Sequence, residues 1–201
     1  MYIKSEDGGI LKADKKRWDK RFARKEFALG KEPNPFLKKH IHLLPKGKAL
    51  DLATGEGRNA VFLGEKGFEV DAVDISDKGL KKVRRLAQER GVKVKALLVD
   101  LDHYQIEKER YDLIADFFFL KRNLISRIRK GLKKGGMVIF ETYLLEQRTL
   151  GTGGPKQVKY FLKPNELLRF FKTFRILFYR EGIFKEGGRR KAVASLIAQK
   201  V

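Results

Sequence analysis

The segment 49–59 reads ALDLATGEGRN, an apolar strand with one acidic residue that runs directly into a turn with two glycines. Gly55 and Gly57 let the backbone turn sharply after the strand, and they bring its N–H groups close to a ligand where the next helix begins. About twenty residues further on, the alternating segment EVDAVD predicts a second strand that ends in Asp74, placed to accept both hydroxyls of a ribose. These two features predict a strand and helix fold built around a nucleoside-containing cofactor.

The neighbours of the glycines indicate which cofactor is bound. The turn also satisfies the dinucleotide pattern, with Ala60 in the third glycine position. A pyrophosphate is doubly negative, however, and the carboxylates of Asp51 and Glu56 would repel it. The ammonium and sulfonium of S-adenosyl-L-methionine suit acidic surroundings better, so we predict this cofactor, with S-adenosyl-L-homocysteine as its product. A nicotinamide dinucleotide remains the alternative.

From residue 48 onward, strand and helix patterns alternate, which predicts a parallel sheet with helices on both faces. Strands are predicted near 48–53, 69–74, 93–99, 111–117 and 136–142, and helices near 58–66, 77–90 and 122–132. In the helix after Asp74, Ser76 or Asp77 can cap the first N–H groups and Gly91 can end the helix in a left-handed conformation. Upstream, helices are predicted near 15–24 and 36–44.

The C-terminal quarter has a different character. A glycine-rich loop at 151–155 and a short helix at 164–171 precede two strand patterns, 174–184 and 191–200. Because the connection between these strands is short, they must be antiparallel. An ordinary dinucleotide domain stays parallel throughout, so this hairpin is a second argument against a nicotinamide cofactor.

With these motifs the chain resembles the class I S-adenosylmethionine-dependent methyltransferases over roughly residues 45–145. The segment Leu98–Leu101 looks like the third motif of that family, and LKKGGMVIF at 132–140 looks like its turn before strand five, with Lys134 in place of the usual proline. The resemblance implies a Rossmann-like α/β fold with a mostly parallel seven-stranded sheet, helices on both faces and a C-terminal antiparallel hairpin.

More narrowly, the chain is similar to the tellurite-resistance (TehB-like) methyltransferase group. The similarity lies in GEGRNAVFL at 55–63, in WDKRF at 18–22 and in PNPFL at 33–37. Tellurite need not be the substrate, because proteins of this group often lack an assigned acceptor. The narrower resemblance therefore supports the cofactor more firmly than the acceptor.

The resemblance also implies roles for individual residues. The loop residues are expected around the methionine part of the cofactor, with Trp18 and Arg21 closing over it and Arg21 or Arg58 pairing with its carboxylate. Asp100 is expected to accept from the adenine amine, and Asp116 and Phe117 are expected beside the transferred methyl. The complete predicted cofactor site comprises Trp18, Arg21, Asp51, Ala53, Gly55, Gly57, Arg58, Asn59, Asp74, Ile75, Asp100, Leu101, Asp116 and Phe117. The alternatives are a plain turn for the glycine loop, a cap for Asp100 and a helix-start role for Asn59.

The predicted acceptor side is less specific. Residues 151–155 are expected where the acceptor enters, as a lid or as a simple connector. Four nearby groups could handle a proton, although each is more often structural: His103, Glu141, Tyr143 and Tyr160. No catalytic residue is assigned, because methyl transfer to an acceptor that arrives as an anion requires alignment more than a base. Thiolates, selenite or tellurite would be such acceptors.

Composition limits the remaining functions. The chain has no cysteine, which excludes disulfides, thiolate metal ligands and cysteine nucleophiles, and no spacing around its three histidines predicts a metal site. A formal net charge of +21 attracts anions of every kind, including RNA. The basic residues fall on opposite faces of the predicted sheet, which favours a diffusely solvated surface over one binding stripe. An RNA methyltransferase and a noncatalytic RNA- or anion-binding protein remain alternatives.

Length and hydropathy predict the overall organisation. The 201 residues suffice for one domain, with a helical cap at 1–44, a cofactor-binding core at 45–145 and an acceptor side at 146–201. No stretch approaches the roughly 20 apolar residues of a membrane span. A cytoplasmic protein without membrane contact is therefore expected, and the oligomeric state is left open.

Overall fold

A computed structural model describes residues 8–186 and 188–201. Its strands are β1 Lys48–Leu52, β2 Glu69–Asp74, β3 Val94–Leu98, β4 Tyr111–Phe117, β5 Leu132–Tyr143, β6 Arg175–Glu186 and β7 Arg189–Gln199. Its α-helices are α1 Gly8–Phe22, α2 Pro35–His40, α3 Arg58–Glu65, α4 Asp77–Glu89, α5 Ile125–Gly131 and α6 Glu166–Phe170.

In this part of the chain the seven strands form one sheet in the order β3-β2-β1-β4-β5-β7-β6. The pairs among β1 to β5 are parallel, whereas β7 lies antiparallel between β5 and β6. The predicted fold class, a mostly parallel sheet that ends in an antiparallel hairpin, is confirmed. The strand order reverses next to β1, so the glycine turn lies where a parallel sheet opens a crevice for ligands.

Apolar residues cover both faces of this sheet. On one face, α3 and α4 contribute Leu63 and Leu80 to a buried cluster, and on the other face α5 and α6 contribute Ile128 and Leu167. All four of these side chains are fully buried. Helices therefore flank the sheet on both sides, as the alternating pattern predicts.

Some predicted boundaries were wrong. The first helix ends at Phe22 instead of residue 24, and the helix predicted near 36–44 ends at His40, followed by a 3-10 turn over Ile41–Leu43. The strand β5 begins at Leu132, which places the predicted turn LKKGG inside the strand. The pairing of β4 with β5 shifts register between Tyr111 and Leu113, so the glycines form an irregularity in the ladder.

The predicted ends of α4 are confirmed. The Ser76 side chain accepts a hydrogen bond from the Gly79 N–H at 3.1 Å, and Gly91 follows the helix with a φ of 66°. This cap fixes where the helix begins, directly after Asp74 at the end of β2. The carboxyl end of β2 and the first turn of α4 thereby form one rigid corner of the site.

No helix in the described ranges is both long enough and apolar enough to cross a membrane.

We expect Gly79→Ala to destabilise the protein although alanine favours a helix interior by about 1 kcal/mol. A Cβ at residue 79 would lie 2.6 Å from the Gly55 carbonyl oxygen, a backbone atom of the cofactor loop that cannot move without opening the loop. Overpacking of this kind costs about 1–3 kcal/mol. Thermal unfolding measures the effect.

Gly64→Ala in α3 is the matched control. The Cβ there would meet only side-chain atoms, of Val92 at 3.3 Å and of Val94 at 3.7 Å, so a small shift accommodates it. An unfolding midpoint for Gly79→Ala equal to or above that for Gly64→Ala would contradict the prediction.

Candidate functional site

The glycine turn is held by the carboxylate that ends β2. The Asp74 Oδ2 accepts from the Gly55 N–H and its Oδ1 accepts from the Ser76 N–H, both at 2.8 Å. Burial raises the Asp74 pKa, and these backbone hydrogen bonds partly offset that rise. The carboxylate thus joins the ends of β1 and β2. Each oxygen retains a lone pair for a further donor such as a ribose hydroxyl.

The carboxylate in β1 lies beneath the same turn. Asp51 is 1% exposed and accepts a hydrogen bond from the Thr54 hydroxyl at 2.5 Å. Burial raises its pKa to about 7, with the charge of Asp74 adding to the rise and the Thr54 hydrogen bond and the charge of Arg58 opposing it. A cation bound nearby would favour the ionised form of this carboxyl.

Two further predicted site residues carry buried oxygen atoms without a hydrogen-bond partner among the described residues, Asp100 Oδ2 and Asp116 Oδ1. Asp100 follows β3, where its Oδ1 accepts from the Asp102 N–H at 2.9 Å, while His103 Nε2 lies 3.8 Å from the Oδ2, beyond hydrogen-bond range. Asp116 lies in β4 beside Leu52 of β1. Burial and the charge of Asp51 raise the Asp116 pKa well above its ordinary value. Buried acceptors of this kind require donors, which ordered water or a ligand can supply.

Glu56 does not present a free negative charge in the turn, contrary to the prediction from the sequence. It is 1% exposed, and its Oε1 pairs with the Lys82 ammonium at 2.6 Å while its Oε2 accepts from the Leu29 N–H at 3.1 Å. The prediction that Glu56 would repel a pyrophosphate is therefore wrong, because the Glu56 charge is paired with Lys82 inside the protein. The acidic character of the turn therefore comes from Asp51 and Asp74.

The N-terminal helix covers the turn. Phe22 is 2% exposed, and its ring would lie 3.3 Å from a Cβ at Gly55. Trp18 stacks on Phe22 with ring centroids 5.4 Å apart, and the Arg21 guanidinium lies 5.3 Å from the Trp18 ring. Trp18 is half-buried and Arg21 is exposed. The predicted aromatic and arginine pair is therefore formed on the helix that covers the loop.

Asp19 ties this helix to the site. Its Oδ1 accepts from the Ser76 hydroxyl at 2.7 Å and from the Lys78 N–H at 3.2 Å, at the start of α4. Asp19 was not among the predicted site residues, although it lies in the WDKRF segment at 18–22, and its contact with α4 follows only from the tertiary structure. The contact places α1 directly beside Asp74.

The first turn of α3 carries Arg58 and Asn59. The Asn59 Oδ1 accepts from the Asn34 N–H at 2.8 Å, so Asn59 anchors the N-terminal segment and does not cap its own helix. Burial lowers the Arg58 pKa, although the charges of Asp51, Tyr143 and Glu141 oppose this. The Arg58 Nη1 also donates to the Leu29 carbonyl at 3.2 Å.

The remaining predicted residues lie at the same carboxyl edge. Leu101 and Phe117 are buried, and Ala53 and Ile75 are half-buried. Ala53 has a φ of 50° and continues the chain from β1 into the glycine turn. Gly57 has a φ of 89° immediately before α3, so a glycine is required there. The structure thus brings all predicted strand ends and the covering helix to one edge of the sheet.

Two of the predicted proton carriers have different environments. Glu141 is fully buried and accepts from Asn34 Nδ2 at 2.9 Å and from the Ser195 hydroxyl at 2.7 Å, with Arg180 Nη2 at 3.4 Å. His103 is exposed beside Asp100. Neither group is arranged as a free base.

The loop at 151–155 is tethered. Gln147 is 2% exposed, and its Nε2 donates to Thr152 Oγ1 at 2.9 Å and to the Gly153 carbonyl at 2.7 Å. Its Oε1 accepts from the Ala192 N–H at 2.8 Å, which fixes the loop against β7. Gln147 was missed from the sequence because a lone glutamine has no distinguishing pattern.

Comparison with known proteins agrees with this geometry. The family model described as tellurite resistance protein TehB matches residues 19–190. The chain belongs to the TehB family. The predicted TehB-like group is therefore confirmed.

Two curated relatives have related names. The Haemophilus influenzae protein named "Probable S-adenosyl-L-methionine-dependent methyltransferase TehB" is 26% identical over 143 residues, which cover 68% of this chain and 49% of that protein. A ubiquinone biosynthesis O-methyltransferase from Idiomarina loihiensis is 27% identical over 153 residues, 67% of this chain and 63% of that protein. The chain thus spans about half the length of the TehB relative.

Solved structures share the fold of this TehB-family chain. TehB from Haemophilus influenzae superposes with a TM-score of 0.72 at 18% identity, covering 93% of this chain and 67% of that one. A second structure is geranyl diphosphate C-methyltransferase from Streptomyces coelicolor, solved with Mg2+, geranyl diphosphate and S-adenosyl-L-homocysteine. It superposes with a TM-score of 0.69 at 13% identity, covering 96% of this chain and 100% of that one. The chain therefore shares its fold with these structures.

We expect Asp51→Asn to stabilise the protein at neutral pH. The folded state holds the Asp51 proton up to a pKa of about 7, whereas the unfolded chain releases it near its ordinary value of about 4. Ionisation therefore favours the unfolded state increasingly as pH rises through this window, at about 1.4 kcal/mol per pKa unit. Asparagine does not ionise and still accepts from Thr54.

The measurement is the free energy of unfolding of both proteins between pH 4.5 and 7.5, with about 4 kcal/mol as the upper limit of the gain. The exposed Asp102→Asn serves as the control. Parallel pH profiles for wild type and Asp51→Asn would contradict the prediction.

Proposed function

We propose that this TehB-family chain is an S-adenosyl-L-methionine-dependent methyltransferase that acts on a small-molecule acceptor. The observation that carries the proposal is the set of buried acidic groups around the glycine turn. Asp51, Asp74 and Asp100 lie at the ends of three neighbouring strands, and an oxygen of Asp100 lacks a partner among the described residues. This donor-poor, acid-rich edge suits a cofactor that carries cations and hydroxyls and no phosphate.

The methionine part of the cofactor would lie over the turn at 53–57. Asp51 would face its ammonium, and Arg58 or Arg21 would pair with its carboxylate. Before the cofactor binds, Asp51 can be neutral and still accept the hydrogen bond from the Thr54 hydroxyl. The ammonium of the cofactor would then favour ionisation of the Asp51 carboxyl. Trp18 and Phe22 would exclude water from the covered site.

The adenosine part would lie across the ends of β2 and β3. Asp74 would accept from the ribose hydroxyls in addition to the two backbone groups that it already binds. Asp100 Oδ2 would accept from the adenine amine, with Ile75 and Leu101 against the ring. Asp116 Oδ1 would accept a further donor from the ligand at the centre of the edge.

The proposed reaction needs alignment in a dry site. When bound, S-adenosyl-L-methionine supplies an electrophilic methyl group on a sulfonium. The described residues around the turn would align the acceptor with the cofactor and shield both from water. Among the predicted proton carriers, Glu141 is engaged by three donors and is not arranged as a free base. This supports an acceptor that arrives already deprotonated.

We propose an anionic acceptor, with a thiolate or a chalcogen oxyanion as the simplest cases. The family description names tellurite resistance, and one relative is named an O-methyltransferase, so acceptor atoms differ among similar proteins. The formal net charge of +21 would attract an anion to the site.

An RNA acceptor is less well supported. Many basic side chains in the predicted groups are bonded within the protein, as in the Arg122 pairing with Glu166 at 2.8 Å and the Lys133 pairing with Asp112 at 2.9 Å. On α4, Lys82 is buried and Arg84 donates to the Ala96 carbonyl at 3.3 Å. These contacts favour a diffusely solvated basic surface over a single RNA-binding stripe.

We further propose one catalytic domain that functions inside the cell. Residues 1–44 would form the cap over the cofactor, 45–145 the cofactor-binding core and 146–201 the acceptor side. The ties from Asp19 to Ser76 and from Gln147 to Ala192 support this division, because they join the outer segments to the core.

Titration calorimetry tests the cofactor. We expect saturable binding of S-adenosyl-L-methionine and none of NAD, with Asp74→Asn at least about tenfold weaker because one ribose acceptor becomes a donor. Asparagine keeps only one of the two backbone hydrogen bonds that Asp74 accepts, so thermal unfolding of the variant is measured as well, to separate lost ligand contacts from a disturbed turn. The control is Asp77→Asn, one turn away from the ligand edge. Binding of NAD in preference to S-adenosyl-L-methionine would refute the proposal.

The Asp100 role predicts a preference for the adenine amine. S-inosyl-L-homocysteine has an oxygen in place of that amine, so wild type should bind it about tenfold more weakly than S-adenosyl-L-homocysteine, since Asp100 Oδ2 would stay unpaired. Asp100→Ala should bind both ligands equally, whereas the neighbouring Asp102→Ala should keep the preference. Equal affinities of the wild-type protein for the two ligands would refute the proposed contact between Asp100 and the adenine amine.

A further inference from the structure

The residue after β4 has a strained backbone. Phe118 has a φ of 60°, in the left-handed region that a bulky side chain rarely adopts. Its N–H donates to the Glu141 carbonyl at 2.8 Å, which holds this conformation beside β5. Strain of this kind persists where surrounding contacts enforce it, and it occurs preferentially at functional sites.

The strained residue presents an aromatic ring to the end of β5. The rings of Phe118 and Tyr143 lie 4.7 Å apart with a tilt of 35°. Both side chains are half-buried, so the pair keeps an accessible surface. Among the described residues the Tyr143 hydroxyl has no hydrogen-bond partner, unlike the hydroxyls of Tyr111 and Tyr179.

Cations surround this pair. The Lys191 ammonium lies 5.7 Å from the Phe118 ring centroid. The charges of Arg58 and Arg21 act on the Tyr143 hydroxyl, whose pKa burial and the charge of Glu141 raise. Arg58 belongs to the first turn of α3, directly after the glycine turn. The aromatic pair therefore adjoins the proposed cofactor site on its acceptor side.

The geometry points to an acceptor-binding platform, formed by Phe118 and Tyr143, for a planar conjugated molecule that carries an anionic group. This inference rests on the proposed function, because it names the acceptor class for the same site. Aromatic rings gain by stacking on a planar ligand, whereas their faces carry negative charge and disfavour a bare anion. The positive electrostatic potential of these side chains would attract the anionic group to the edge of the platform.

Within the proposed anionic acceptors, the platform selects against bare oxyanions. Selenite and tellurite have no planar apolar surface to cover two rings. An aromatic carboxylate or an aromatic thiolate can stack on the two rings and also interact with the cationic side chains. The Tyr143 hydroxyl adds a donor that can fix the orientation of such a ligand.

Saturation-transfer NMR on protein loaded with S-adenosyl-L-homocysteine tests the platform. The probes are 2-naphthoate and decahydro-2-naphthoate, which carry the same charge and differ in planarity, with selenite as competitor. We expect naphthoate to bind roughly 2- to 12-fold more tightly than its saturated counterpart, as stacking energies imply. Selenite should not displace it.

Phe118→Leu and Tyr143→Leu should remove the preference for the planar probe while leaving S-adenosyl-L-homocysteine affinity unchanged. The matched controls are Phe174→Leu and Tyr179→Phe, which alter aromatic residues at the last turn before β6 and on β6 itself. These controls should keep the preference.

The outcomes separate the two proposals. If wild type fails to bind S-adenosyl-L-homocysteine, the proposed function itself is wrong. If the cofactor product binds but neither probe binds, or both bind equally, or selenite displaces naphthoate, the platform is refuted and the proposed function stands. Loss of the planar preference in the control variants as well would also refute the platform.

Discussion

The Asp74 carboxylate holds the functional edge of this protein together. It accepts backbone N–H groups from Gly55 in one loop and Ser76 in the next, so the ends of β1 and β2 and the start of α4 keep a fixed relation. Ser76 in turn caps α4 and donates to Asp19 on the covering helix. A single buried carboxylate thereby connects the sheet, a flanking helix and the cap. Burial opposes ionisation of the Asp74 carboxyl, and the hydrogen bonds from the backbone N–H groups stabilise its charged form.

Charge at this edge is divided between structure and ligand. Glu56 is neutralised by Lys82 and fixes the segment around Leu29, whereas Asp51 has no cationic hydrogen-bond partner in the described part of the chain and a pKa raised to about 7. The first arrangement stabilises the loop, and the second stores unfavourable free energy that a bound cation can relieve. Stability and ligand binding therefore place opposite demands on neighbouring carboxylates of the same short loop.

The acceptor side depends on contacts between segments that are distant in the chain. Glu141 joins Asn34 to Ser195, and Gln147 joins the loop at 151–155 to Ala192. These buried side chains hold β5, β7 and the N-terminal segment around Phe118 and Tyr143. The aromatic pair thus acquires its position from a polar network that no local pattern predicts. Both buried groups have several partners, as buried polar atoms require.

The sequence by itself determined the fold class, the strand that precedes the glycine turn and the acidic residues at the strand ends. These follow from local rules: hydrophobic period, glycine conformations at Gly55 and Gly57, and the cap at Ser76. Only the tertiary structure decided that Glu56 is internally paired, that Asp19 reaches α4, and that the LKKGG segment extends β5. Such features depend on partners tens of residues away, whose distances are set by packing. The TehB family match agrees with the local rules, while the position of the proposed acceptor site depends on this long-range packing.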